Sequence, residues 1–313
     1  MKRVDLGRET HSQRIGFGCS HITGGFEGRS NIRVLRAAYD LGVRHFDTAP
    51  LYGHGTSEEV VGDAFRRDRH KVTIATKIGI PHGTLSYKGQ FVRFLATPLR
   101  RWTPGISKFA AAKMYSTPPR TDFSPASIER SIDKSLKKLK TDYVDILLLH
   151  EVRVQDISDE LLTKLRRLVI EGKVRQLGIG TTIQSMMEIQ EKGYEFEVYQ
   201  RPWSVFVPDE GLFADRYRIF HGSILSAAAT IKEKLRADPK FCRQLQELSG
   251  LEFRSTDDIG KILLLAAVSA NPLGLALFSS KVQTRIASYV KFVTEDPTAK
   301  LGNQLATAIR GNL

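Results

Sequence analysis

Cysteine is nearly absent from this chain: Cys19 and Cys242 are the only two in 313 residues. Two thiols build no disulfide framework, and the expectation is reduced, buried side chains in a cytoplasmic protein. There is no HExxH, no CxxC and no clustered His/Cys spacing, so no metal site is expected. No Walker loop occurs, and no Gly-x-Gly-x-x-Gly follows a strand-like run, which argues against a doubly wound dinucleotide domain. Long apolar runs are lacking too. The stretch Ile262–Phe278 is broken by Asn271-Pro272 and falls short of a bilayer span, so it predicts a buried helix followed by a strand rather than a membrane partner. The opening Met1-Lys-Arg-Val-Asp-Leu-Gly-Arg has charges but no apolar core behind them, and no signal peptide is expected. No Gly/Ser/Pro linker or abrupt compositional change divides the chain, so residues 1–313 are expected to form one domain.

Acidic residues are missing from one long stretch. Between Pro81 and Thr121 there is no Asp or Glu, but Lys88, Arg93, Arg100, Arg101, Lys108, Lys113 and Arg120 are present. Those seven charges supply more than half of the net +13. A solvated surface loop explains them, and so does an anionic substrate or an acidic partner. No nucleic-acid-binding module accompanies them, so nucleic acid is not an expected partner.

What the chain does contain is an alternation of apolar strand-like runs with amphipathic helix-like segments, the pattern of repeated β-α units around a buried parallel sheet. Four runs end in a residue capable of chemistry. Val43-Arg-His-Phe leads to Asp47, Val72-Thr-Ile-Ala-Thr to Lys77, Val144-Asp-Ile-Leu-Leu-Leu to His150, and Phe196-Glu-Val-Tyr to Gln200. In an eight-fold barrel, functional residues sit at the C-terminal ends of the strands. An acid, an ammonium, an imidazole and an amide would then converge on one rim. A first strand is expected at Arg14–Gly18, with helices over about Asn31–Leu41 and from Thr56, where Thr56-Ser-Glu-Glu59 reads as a capping box. Another helix opens at Ser124-Pro125, and one stops at Gly172. The stretch 226–272 must supply helices alone if the count is to be eight. The segment 80–123 separates strand three from its helix by far more than an ordinary β-α loop. Its Tyr87, Phe91, Phe94, Trp102, Phe109 and Tyr115 predict a lid or substrate wall on the catalytic face.

The run His45-Phe-Asp47-Thr-Ala-Pro-Leu-Tyr52-Gly-His-Gly-Thr-Ser57-Glu, followed by Thr76-Lys77 and Leu149-His150, closely resembles the aldo-keto reductases. Three ordered motifs in matching strand context carry that resemblance. It implies a single (β/α)8 TIM barrel and a cytoplasmic oxidoreductase that reversibly reduces an aldehyde or ketone to an alcohol. Its tetrad would be Tyr52 as general acid, Lys77 as the group lowering the phenol pKa, Asp47 as the lysine's partner, and His150 orienting the substrate.

The resemblance also implies a nicotinamide, with NADPH favoured over NADH. The carboxamide would be held near Gly180-Thr181, where the family has a Ser-Asn pair, and by Gln200. His221 stands where the family commonly has a stacking Tyr. The turn Gly222-Ser223-Ile-Leu225 would approach the pyrophosphate, and Cys19 and Ser20 complete the expected contacts. Ser279, Ser280, Lys281 and Arg285, opening the last barrel helix, would take the adenosine phosphate. A sugar-like or anionic carbonyl is the expected substrate class. Two rival expectations are a non-enzymatic nicotinamide-sensing regulatory subunit and a sugar isomerase or lyase with tightly held cofactor. Nothing in the pattern specifies an oligomeric state.

Overall fold

The computed structural model describes residues 14–80, 121–207, 211–295 and 300–312. Eight parallel strands close into a barrel in sequence order, β1 through β8, with β8 pairing back onto β1. They are β1 (Ile15–Gly18), β2 (His45–Asp47), β3 (Thr73–Ile78), β4 (Val144–His150), β5 (Val174–Gly180), β6 (Val198–Pro202), β7 (Tyr217–His221) and β8 (Leu275–Phe278). The helices are α1 (Gly28–Asp40), α2 (Ser57–Phe65), α3 (Pro125–Leu139), α4 (Asp159–Ile170), α5 (Ile183–Glu191), α6 (Ala228–Ala237), α7 (Pro239–Ser249), α8 (Thr256–Ser269), α9 (Gln283–Thr294) and α10 (Lys300–Arg310). The expected (β/α)8 architecture is therefore the observed one. The stretch 226–272 supplies α6, α7 and α8 between β7 and β8. No helix separates β6 from β7 among the described residues. The segment predicted as a lid, 80–123, lies almost wholly outside the described residues.

The strands read as nearly unbroken apolar runs because both of their faces are covered. All but the last residue of β4, Val-Asp-Ile-Leu-Leu-Leu-His, is buried. Outward side chains meet amphipathic helices, as where α1 buries Asn31, Val34, Leu35 and Ala38 at spacings of three and four. Inward side chains form a smaller cluster that fills the bore: Ala75, Ile146, Leu148, Val198, Ile219, Leu275 and Leu277. The barrel is thus plugged below, and Asp47, Lys77, His150 and Gln200 gather above the plug, toward the C-terminal ends of their strands. Two helices meet closely at Gly62, where a β-carbon would stand 2.6 Å from the Leu139 carbonyl oxygen. Among the described residues no helix is long and apolar enough to cross a membrane.

The capping box expected at Thr56 does not form. Thr56 stands at the N-cap of α2, but its hydroxyl accepts from the Gly24 amide at 2.8 Å and donates to the Gly53 carbonyl at 2.5 Å. Tertiary partners claim the group before the helix can. Glu58 is likewise recruited by the barrel, accepting a 2.8 Å hydrogen bond from Thr76 on β3.

Candidate active site

Strand alternation decides which residues enter the bore. Ala75 and Lys77 share the inward side of β3, and the β2–β3 register sets Asp47 beside Ala75. Lys77 therefore reaches the Asp47 carboxylate from one step further along the barrel. Its Nζ donates to Asp47 Oδ1 at 2.6 Å and to the Thr48 carbonyl at 3.1 Å. The other carboxylate oxygen, Oδ2, accepts from Gln200 Nε2 at 2.7 Å, a bond from β6 to β2 across the bore. All three side chains are buried.

Tyr52 arrives from a strained turn. Gly53, His54 and Gly55 have φ of 56°, 58° and 84°, backbone values that side chains seldom accept. At Gly53 a β-carbon would stand 1.8 Å from the Ile22 carbonyl oxygen, so only glycine fits. The Gly53 amide donates to Ser20 O at 3.1 Å, tying this turn to the loop after β1. Ser57 strengthens the tie: its hydroxyl donates to Cys19 O and meets Thr48 Oγ1, each at 2.9 Å. The outcome is that Lys77 Nζ lies 4.8 Å from the Tyr52 ring centroid. The His150 ring stands edge-on to Tyr52 at 6.4 Å between centroids. The four residues expected to act together are brought together.

Their electrostatics depart from expectation at one point. Burial pushes the Tyr52 phenol up, the Lys77 ammonium pulls the other way, and the net direction is upward, not toward neutrality. For Lys77, burial pulls downward, but Asp47 and Tyr52 together outweigh it and hold the ammonium charged. Burial, aided by Lys77, pulls His150 down to about 3, so it is a neutral imidazole. His221 is also lowered, chiefly by burial.

A cavity of about 1270 Å³ opens above this group and runs across the rim. Asp47, Tyr52, His150 and Gln200 form its floor, while Lys77 lies beneath. Ser20, Thr181, His221, Gly222, Ser223 and Leu225 line it, as do Ser279, Ser280, Lys281 and Arg285. Cys19 does not: it is fully buried behind the rim, its thiol pushed up first by burial and then by Asp47. Gly180 lines the cavity beside Gln200, and a β-carbon there would make only ordinary contacts, so the missing hydroxyl of the Gly180-Thr181 pair leaves space, not a clash.

Donors in the cavity suit a long ligand bearing phosphates. The Ser223 hydroxyl is buried without a partner in a turn where Gly222 has φ of 73°, an orphaned donor awaiting an acceptor. At the far end, Ser280 and Arg285 sit where α9 begins, a site of positive potential. Sequence reasoning missed what holds the cations there. Arg285 Nε donates to Asp257 at 2.7 Å, and Lys281 Nζ donates to Glu27 at 2.7 Å. Glu27 precedes α1 and Asp257 opens α8, both far from Arg285 and Lys281 in sequence, and no local pattern marks either one.

Residues 14–217 match the model of the aldo/keto reductase family, well over half of the chain, and the chain belongs to that family of oxidoreductases. Its relatives include an uncharacterized oxidoreductase, YqkF, of Bacillus subtilis, 33% identical over 182 residues covering 58% of this chain and 49% of that protein. L-galactose dehydrogenase of Arabidopsis thaliana is 30% identical over 174 residues, 53% of this chain and 43% of that protein. The chain thus spans about half the length of the curated relatives it matches. Among solved structures, an aldo-keto reductase from Klebsiella pneumoniae in complex with NADPH superposes with a TM-score of 0.64, covering 93% of this chain and 89% of that one at 20% identity. That likeness is one of fold.

Proposed function

We propose that the chain is an NADPH-dependent oxidoreductase that reversibly reduces an aldehyde or ketone to the alcohol, with Tyr52 giving the proton. The observation that carries this reading is the buried Lys77–Asp47 pair at 2.6 Å directly under the Tyr52 ring, at the floor of a long cavity. The nicotinamide, when bound, supplies the hydride. Everything else falls to the chain. The carbonyl oxygen gains negative charge as the bond reduces, and donors must meet it. Tyr52 offers an O–H and neutral His150 an N–H, and the two rings adjoin. A phenol whose pKa is raised stays protonated at neutral pH, which suits reduction. The reverse reaction needs the phenolate, and Lys77 is the charge that favours it.

Thr181, Gln200 and His221 line the wall that would meet the nicotinamide ring, Ser223 the pyrophosphate, and Ser280 with Arg285 the adenosine phosphate. The L-galactose dehydrogenase relative directs the substrate search toward sugar carbonyls, and the basic run 81–121 toward anionic ones. The test is a fluorescence titration with NADPH and with NADH, followed by a carbonyl panel. Trp203 is a suitable reporter, buried, stacked on Phe220 and bonded through its amide to His221 O. Saturable quenching, stronger for NADPH, and turnover of some carbonyl are expected. Tyr52→Phe should abolish turnover without greatly changing cofactor affinity, and turnover within a few-fold of wild type would refute the role of Tyr52. Tight binding with no turnover of any carbonyl favours the nicotinamide-sensing subunit. Conversion of a sugar without net cofactor consumption favours the isomerase or lyase.

A further inference from the structure

We infer that Gln200 is a positioning residue for the proton donor: its side-chain amide holds the Asp47 carboxylate so that Lys77 remains directed at Tyr52. The inference rests on the proposed role of Tyr52 but is tested independently of turnover. Asp47 is one carboxylate with two claimants. Oδ1 takes Lys77 at 2.6 Å and Oδ2 takes Gln200 at 2.7 Å, from strands on different sides of the bore. An ionised carboxylate only accepts, so the amide must present Nε2 to it. The groups are sealed below by the apolar plug of Ala75, Leu148, Val198 and Ile219, and Gln200 and Asp47 are exposed by only 3% and 2%. From below, therefore, no polar side chain of the plug can replace the amide on Oδ2.

Without that N–H, a buried acceptor is left unsatisfied. The carboxylate then answers to Lys77 alone, turning to offer both oxygens to one ammonium. Lys77 is drawn toward Asp47, and its charge is more fully compensated. Tyr52 loses part of the cation that, among the described residues, opposes its burial. The titratable groups that face Tyr52 are Lys77 on β3, Asp47 on β2 and Cys19 behind β1, with His150 of β4 edge-on. None of the others can take over the role of the amide, because none donates to Oδ2 among the described residues.

Gln200 also lines the cavity, where it has been assigned above to the nicotinamide wall. The two roles separate experimentally. Gln200→Met keeps the volume and removes the N–H. The first readout is the titration of Tyr52 in the ligand-free chain, followed by nuclear magnetic resonance on ring-labelled tyrosine and assigned with Tyr52→Phe. The titration is expected to move up by about half a unit to one unit, less than the roughly 1 to 3 units that a neighbouring opposite charge produces, because the variant redirects the Lys77 charge without removing it. The second readout is NADPH affinity by fluorescence. An unmoved Tyr52 titration overturns the inference, and if affinity falls at the same time, Gln200 serves the ligand alone. Should Gln200→Met not fold, Gln200→Leu, which also lacks the N–H, is read the same way: an upward shift of the Tyr52 titration sustains the inference, and a titration close to wild type overturns it. Failure of the chain to turn over any carbonyl would count against the proposed function and leave this titration still decisive for the Gln200–Asp47–Lys77 linkage.

Discussion

Removing either member of the Lys77–Asp47 pair should destabilise the barrel severely, whereas removing both should cost much less than the sum. The pair is 2.6 Å apart with side-chain exposures of 1% and 3%. At an effective dielectric constant of about 20, two unit charges at that distance attract by about 6 kcal/mol. Burial of both charges offsets much of this, so the net contribution of the pair is small. The cost of stranding one charge is not small, being about 3 to 5 kcal/mol for buried pairs. Lys77→Met leaves Asp47 with only the Gln200 amide. Asp47→Asn leaves the ammonium with the Thr48 carbonyl at 3.1 Å. The double variant has no charge to strand, and the carboxamide introduced at position 47 would still meet Gln200 as amide to amide. Each single variant should therefore lose about 3 to 5 kcal/mol, and the double no more than either single. Urea unfolding followed by Trp203 fluorescence and by circular dichroism, with the two transitions coincident, measures all four species. A double variant as unstable as the two single losses added together would refute the reasoning, because it would mean that the two charges do not interact.

Other consequences are open to measurement. Because burial raises the Tyr52 phenol, alcohol oxidation should accelerate steadily as pH rises through the alkaline range while carbonyl reduction stays level around neutrality; a rise in oxidation that ends below about pH 8 would contradict this direction. Asp257 and Glu27 hold the two rim cations, so Asp257→Asn and Glu27→Gln should tighten NADPH by several-fold and change NADH little; equal changes for both dinucleotides would exclude a phosphate-specific competition. His45 is buried in the bore with both ring nitrogens unpartnered, and burial lowers it to about 4. Its folded pKa lies below the unfolded value near 6.5, so the unfolded chain takes up the proton first and stability falls as pH drops from about 6.5 to about 4. The loss should be up to about 1.4 kcal/mol per pH unit from this group, and His45→Leu should flatten the slope in urea titrations across that window.

Much of the barrel is legible in the sequence because the strands are short, apolar and punctuated, and because both of their faces are covered. The runs ending in Asp47, Lys77, His150 and Gln200 are readable as strand ends, and the structure converges all four on one rim. Less is legible where one residue serves a distant one. Thr56 looks like half of a capping box, but its hydroxyl is spent on Gly24 and Gly53. Gln200 reads as a ligand contact, yet its amide is bonded to a carboxylate 153 positions away. Arg285 and Lys281 read as cations open to a phosphate, because a local pattern shows a charge but not its partner. The Tyr52 direction is not readable either, since the balance between Lys77 and burial depends on how deep the ring sits. Cys19 is one residue too far inside, fully buried while Ser20 reaches the cavity.

The contact of Gly53 with the loop after β1 has a consequence for anyone reshaping this protein. With no room for a side chain at residue 53 and a backbone bond to Ser20, the turn that carries Tyr52 and the loop spanning residues 19–24 form one mechanical piece. Transplanting a foreign segment into either one alone would drag the phenol out of register with Lys77, whatever the new segment was chosen to recognise. Libraries meant to change substrate choice are better confined to walls that neither touch this clasp nor are assigned to the cofactor, such as the cavity wall at Glu151 after β4, or else should exchange both loops as a single cassette.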